Sequence, residues 1–379
     1  MKPSLQRGDR IVLEREHFQN LLDALNKKGY QIIGPTLGEG SIIYGKLSCV
    51  SDLPIGWTDE QEGGMYHLKK RGDNALFGYT VGPHSWKNFL FPSVQQLLQA
   101  KREGKGFQVN RKREEIPKFA FLGARSCDIY AITIQDKVFI KGKFVDPHYA
   151  SRRGDTFIVA VNCGKAGGTC FCVSMGTGPR ADLGFDIAMT EVLKSDRHYF
   201  LVELGTERGA EIFQEIPYKN ASEEERATAN TVVENTAKHM GRYMNTDHIK
   251  DLLYRNYEHP RWNDVAERCL ACANCTMVCP TCFCTTVEDT GDVPGGHAER
   301  WRKLDSCFNL DHSYIHGGST RYSIRSRYRQ WMIHKIATWI DQFGTTGCVG
   351  CGRCITWCPV AIDITEEARA IRKSEQAAE

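Results

Sequence analysis

Two stretches of this chain repeat one spacing. Cys269-Leu-Ala-Cys272-Ala-Asn-Cys275-Thr-Met-Val-Cys279-Pro280 and Cys348-Val-Gly-Cys351-Gly-Arg-Cys354-Ile-Thr-Trp-Cys358-Pro359 both read C-x2-C-x2-C-x3-C-P. Three thiols placed so closely must converge on one point. The fourth, followed by a proline that fixes the backbone, lies a turn beyond and points elsewhere. Any fold of this chain has to accommodate two such convergence points.

The chain carries 16 cysteines in 379 residues. Five lie before residue 240 (Cys49, Cys127, Cys163, Cys170, Cys172) and eleven lie between residues 269 and 358. That shift divides the chain into an N-terminal part, 1–240, and a C-terminal part, 241–379. No apolar leader is visible at the start, and the longest apolar runs, such as Phe157-Ile158-Val159-Ala160-Val161, are of strand length. Nothing approaches the roughly 20 apolar residues of a membrane span. The expectation is a cytoplasmic protein without membrane insertion. In that compartment disulfides are rare, so cysteines in these numbers read as metal ligands or catalytic thiols. With 41% apolar and 25% charged residues and a net charge of +3, the composition is globular and gives no argument for nucleic acid.

C-x2-C-x2-C-x3-C-P is the bacterial ferredoxin run for [4Fe–4S] clusters, in which the fourth cysteine serves the other cluster. The expectation is therefore two crossed sites. Cys269, Cys272, Cys275 and Cys358 hold one cluster; Cys348, Cys351, Cys354 and Cys279 hold the second. Zinc sites favour C-x2-C pairs with a distant second pair, which this pattern is not. The long interval between Cys279 and Cys348 contains an aromatic-rich helical stretch, Arg321 to Phe343. Residues 245–365 thus resemble the α-helical ferredoxin module of respiratory and heterodisulfide-reductase-type iron–sulfur subunits.

The N-terminal part reads as α/β (α+β). A helix is expected over His17–Lys28, and buried strands over Lys118–Gly123 and Thr156–Val161. Asp128 is placed as a helix cap, and a hairpin joins Ile187–Val192 to His198–Leu204. Ser222-Glu223-Glu224-Glu225 is a capping box opening a helix to about Met240. A further helix is expected over Asp247–Tyr257, and Thr365–Glu379 reads as a short polar helix or frayed tail.

Cys127, Cys163, Cys170 and Cys172 fall at the ends of the two buried strands and in a glycine-rich loop, where α/β folds build sites. Four thiols are the ligand count of a third [4Fe–4S] cluster. Zinc or simple burial are the alternatives for the same four. Cys282, Cys284 and Cys307 give only three thiols, so a cluster there needs an outside ligand; packing is the simpler reading. Cys49 reads as a lone core cysteine. Seven basic residues between 300 and 330 (Arg300, Arg302, Lys303, Arg321, Arg325, Arg327, Arg329) read equally as counter-charges for an anionic cluster and as a solvated face. There is no phosphate-binding loop, no dinucleotide fingerprint and no complete catalytic constellation.

The chain as a whole resembles the β subunits of cytoplasmic sulfhydrogenases, a family that includes the electron-transfer subunit of anaerobic sulfite reductase. The resemblance rests on Val278-Cys-Pro-Thr-Cys-Phe-Cys284, on Trp301 with Asp305-Ser306-Cys307, and on His334-Lys335. It rests also on Phe343-Gly344 with Cys348-Val-Gly-Cys-Gly-Arg-Cys354, and on Gly123-Ala-Arg-Ser-Cys-Asp128. It implies an iron–sulfur electron-transfer subunit of a multisubunit [NiFe] hydrogenase. Its partners would be a flavoprotein NAD(P)-binding subunit and the hydrogenase small and large subunits. The alternatives are the sulfite reductase role and a heterodisulfide-reductase-like subunit.

Overall fold

A computed structural model describes residues 4–110 and 115–378. The first three residues, part of the segment read for a leader, and Glu379, at the end of the last expected helix, lie outside the described residues. The centre of the N-terminal part is an eight-stranded mixed sheet. Its strands run in the order Lys219–Asn220, Arg10–Glu14, His198–Leu204, Ile187–Leu193, Phe157–Val161, Phe119–Ala124, Gln31–Gly38 and Ser41–Lys46. The middle strands are parallel: Ile187–Leu193 with Phe157–Val161, that strand with Phe119–Ala124, and Phe119–Ala124 with Gln31–Gly38.

Strands buried on both faces read as continuous apolar runs, and alternation then sorts the side chains between layers. Phe157, Val159 and Val161 join the layer of Phe18, Leu22 and Leu25, which includes the helices Phe18–Lys27 and Glu207–Phe213. Ile158 and Ala160 join the opposite layer with Trp86, Phe121 and Ile132, covered by the helices Ser126–Phe139 and Pro147–Gly154. The expected mixed α/β content is present. The capping box holds, with Ser222 Oγ accepting from Glu225 N at 3.2 Å.

Three expectations need correction. The helix after Phe119–Ala124 begins at Ser126, so Asp128 lies inside its first turn rather than capping it. The final segment takes the helical of its two readings, as Ile364–Ala378, but is not polar throughout: Ala368 and Ile371 are buried in the second core. Cys49 is half-buried beside Ser51 Oγ and outside the core.

That second core gathers Trp262, Phe308, Tyr328, Trp331, Met332 and Ile336. The helical stretch from Ile324 to Phe343 passes through a π turn at His334–Thr338. The two parts are not strung apart. Strands Thr285–Gly291 and His297–Leu304 continue through Val94–Glu103 to Gly106–Asn110 as one four-stranded antiparallel sheet. Arg353 of the second cysteine run pairs with Asp128 at 2.9 Å, both side chains fully buried. The contact is an ion pair without hydrogen-bond alignment. Asp128 also accepts from Tyr44 Oη at 3.2 Å, and Arg353 Nε donates to Gly82 O at 3.0 Å. Among the described residues no helix is long and apolar enough to cross a membrane.

Removing one partner of a buried ion pair strands the other charge. Arg353→Ala should therefore cost about 3–5 kcal/mol in anaerobic denaturant unfolding, and pairing Arg353→Met with Asp128→Leu should recover most of it.

Candidate metal centres

The two cysteine runs have the same backbone. Ala271 and Ala273 in the first, with φ of 50° and 68°, match Gly350 and Gly352 in the second, with φ of 62° and 76°. These left-handed residues flank the middle cysteine and turn all three thiols to one side. The amide of Ala271 approaches Cys269 Sγ at 3.4 Å, and that of Gly350 approaches Cys348 Sγ at 3.5 Å, at equivalent positions. Each run then enters a single helical turn, Asn274–Met277 or Arg353–Thr356, which carries the chain to its Cys-Pro end.

Cys269, Cys272, Cys275 and Cys358 line one cavity, closed by Phe308, Tyr328 and Trp331, with Cys354 on its border. Cys279, Cys348, Cys351 and Cys354 line a second, with Lys335 and Trp331. Each cavity thus collects three thiols from one run and the last thiol of the other. A third cavity is lined by Cys127, Cys163, Cys170 and Cys172, with Arg125, Lys165 and Met240. Its first two thiols follow the C-terminal ends of adjacent parallel strands, Phe119–Ala124 and Phe157–Val161, the usual place for a site in such a sheet. Arg125 shapes that end, donating to Tyr79 O at 2.7 Å and Phe77 O at 3.0 Å. Cys354 borders the first and second, and Cys351 borders the second and third, so the three lie in a row. Among the described residues no group of three or more His, Cys, Asp or Glu side chains is drawn tightly enough to hold a single metal ion.

The second run lies directly on the loop of the third cavity. Phe171 N donates to Gly350 O at 2.8 Å, and Thr177 Oγ1 donates to Val349 O at 2.7 Å. A Cβ on Gly352 would stand 2.4 Å from Thr169 O, and one on Gly350 would stand 2.7 Å from the Cys172 backbone. The first run carries alanine at both positions, half-buried against the second core, while its Cys272 is exposed and Leu270 is 62% exposed.

Burial dominates the chemistry of these thiols. It pushes Cys127, Cys163, Cys269, Cys275, Cys351 and Cys354 above the usual thiol range, and Cys170 and Cys348 to about 12. Ionising them together requires positive charge inside the cavity, which bound metal supplies. Cys279 departs in the other direction. A hydrogen bond from the Cys282 thiol and the nearby Lys335 and Lys87 charges favour its thiolate.

Lys335 and Lys87 are the site residues that sequence reasoning passed over. Lys335 Nζ, in the π turn, lies 3.3 Å from Cys279 Sγ and 3.1 Å from Thr281 Oγ1. Lys87 Nζ donates to Cys279 O at 2.9 Å and Cys282 O at 3.1 Å. His334-Lys335 is visible as a motif, but no local pattern marks Lys87. The basic residues singled out between 300 and 330 mostly meet carboxylates instead. Arg300 pairs with Asp289, Arg302 with Asp146, Lys303 with Glu288, and Arg325 and Arg329 with Glu258.

Comparison with known proteins gives two matches. Residues 268–362 match the family profile of the 4Fe-4S dicluster domain. The chain is 36% identical over 369 residues to sulfhydrogenase 2 subunit beta of Pyrococcus furiosus, covering 96% of this chain and 98% of that protein. No solved structure matches.

The glycine contrast is testable. Gly352→Ala forces a Cβ into the Thr169 backbone at a left-handed position and should destabilise by more than about 2 kcal/mol. Ala273→Gly, at the matching half-buried position with φ of 68°, relieves a left-handed alanine and should change stability by less than about 1 kcal/mol. Anaerobic thermal or denaturant unfolding of the two variants measures the difference.

Proposed function

The chain belongs to the sulfhydrogenase β-subunit family, and from that premise we propose that it is the iron–sulfur electron-transfer subunit of a multisubunit hydrogenase, relaying electrons between the hydrogenase module and a flavin NAD(P) module. The observation that carries the reading is the crossed lining of the first two cavities. A ferredoxin-type pair requires three thiols from one run and the fourth from the other, and these eight cysteines are so grouped.

The donor set fits [4Fe–4S] clusters. Each cavity has its four thiols, the first also bordered by Cys354, with no carboxylate among its lining residues and aromatic or aliphatic side chains around them. In this reading Cys269, Cys272, Cys275 and Cys358 hold one cluster, and Cys348, Cys351, Cys354 and Cys279 the second. Cys127, Cys163, Cys170 and Cys172 hold a third. Residues 241–379 are then an α-helical ferredoxin-like two-cluster domain, resting against an α/β domain of residues 1–240. When bound, such clusters are one-electron carriers whose potentials follow net charge, hydrogen bonds to sulfur and solvent exposure.

The protein's own groups differ between the sites. Lys335 donates to Cys279 Sγ and brings a buried positive charge to the middle site, which favours its reduced state. At the first site Cys272 and Leu270 reach the surface, so that end is open to a partner subunit. The third site lies on the far side of the second run. The row of cavities thus gives a path across the chain, with the partners expected at its ends: the flavoprotein NAD(P)-binding subunit, and the hydrogenase small and large subunits.

Purifying the native complex anaerobically through this chain, followed by metal analysis, tests the assignment. Stoichiometric nickel is expected; sirohaem without nickel would overturn it in favour of a sulfite-reducing complex. Two variants test the ligands. Cys358→Ala should alter or abolish the EPR signal of the first site and leave that of the second, and the opposite pattern would refute the crossing. Cys170→Ala combined with Cys172→Ala should remove about four irons per chain, whereas an unchanged iron content would leave two clusters.

A further inference from the structure

Apart from Cys49, three cysteines stand outside the row of cavities, and the fold brings them to one place. Cys282 and Cys284 follow the end of the first run and lead into the strand Thr285–Gly291. That strand pairs antiparallel with His297–Leu304, with Thr285 opposite Leu304, so the hairpin returns the chain to Cys284. Asp305 N donates to Cys284 O at 2.8 Å, and the Cys307 thiol then meets that of Cys284 in a hydrogen bond. The Cys282 thiol meets Cys279 in the same way.

Seven residues on from Asp305, a histidine is held as metal-binding histidines are, with a carboxylate on one ring nitrogen. His312 Nδ1 is joined to Asp305 Oδ2 at 2.5 Å. Asp305 is fixed in turn by Ser306 N at 2.7 Å and Asn309 Nδ2 at 2.5 Å. A carboxylate on one ring nitrogen sets the tautomer that offers the other, Nε2, as a lone-pair donor. His312 is within electrostatic reach of the Cys284 thiol, and with Asp305 and Asn309 it lines an open cavity on its outer side.

The charge around the thiols calls for an anion. Lys87 is 2% exposed and Lys335 6% exposed. Among the described residues their ammonium groups donate to the carbonyls of Cys279, Cys282 and Gly347, to Thr281 Oγ1 and to Cys279 Sγ, and to no carboxylate. Two buried cations without a carboxylate are costly unless anionic sulfur stands beside them. Lys87 bridges the carbonyls of Cys279 and Cys282, between the second cavity and this group.

We propose that Cys282, Cys284, Cys307 and His312 hold a further iron–sulfur cluster, adjacent to the Cys279 site, with Asp305 orienting the histidine. A zinc ion is the poorer occupant, because among the described residues no such group closes to single-ion spacing. The site branches from the middle of the row toward the open cavity at His312 and gives the chain a further surface end for one-electron exchange. The inference rests on the iron–sulfur reading of the Cys279 site.

Iron, acid-labile sulfide and pulsed EPR on the anaerobically purified full-length chain test it. The wild type should carry about 16 irons with the three other sites filled, against about 12 without this one. Its reduced EPR signals should include a nitrogen coupling that His312→Cys removes while iron is retained. Cys284→Ala combined with Cys307→Ala should lower iron by about four and leave the Cys358-dependent and Cys170-dependent signals in place. Unchanged iron in this double variant would overturn the proposal. Were it to fail to fold, a wild type without nitrogen coupling would overturn it equally. Failure of the relay reading itself is distinct: iron would then be insensitive to Cys358→Ala and to the Cys170/Cys172 variant as well.

Discussion

None of the three thiol-lined cavities is closed by local sequence alone. The first run supplies three thiols and waits for Cys358; the second supplies three and waits for Cys279. The third cavity takes Cys127 and Cys163 from the ends of two parallel strands and Cys170 and Cys172 from the following loop. This dependence on distant thiols dictates much of the architecture. The interval between Cys279 and Cys348 must leave and return, and it does so as a hairpin and a long helical stretch whose Trp331 lines both the first and second cavities. The aromatic stripe seen in the sequence is therefore core and cavity wall together.

The legible parts of the fold are those whose signal is local. Continuous apolar runs mark the central strands, helical spacing marks Phe18–Lys27, and the Ser222 capping box marks the start of Glu223–Lys238. The sheet formed by Val94–Asn110 with Thr285–Leu304 gives no such signal. Gly106–Asn110 is exposed along its whole length, so no alternation betrays its pairing. Asp128 is misread for a related reason. As a helix-start residue it resembles a cap, but its partner, Arg353, lies more than 200 residues away. Lys87 is silent because its contacts are backbone carbonyls of a distant segment. The cysteine spacing carries no information about which cations stand behind the thiols.

The π turn at His334–Thr338 shows how one such cation is placed. π turns widen the helix by one residue and recur at functional sites. Here the turn holds Lys335 with its ammonium toward Cys279 Sγ, Thr281 Oγ1 and Gly347 O. Gly347 N in turn donates to Lys335 O at 2.7 Å, tying the entry of the second run to the same turn. The helix thereby positions a charge and a cysteine loop through one residue.

The unequal setting of the two runs also bears on durability. In the first run Cys272 and Leu270 reach the surface, while Gly350 and Gly352 allow the second run to be pressed against the backbone of residues 169–172. Exposure that admits a partner's electrons admits molecular oxygen by the same route. Oxidative damage would enter at Cys272 and work inward, and the tightly enclosed second run would outlast it. The asymmetry makes the outer end the part whose repair sets the working life of the whole protein.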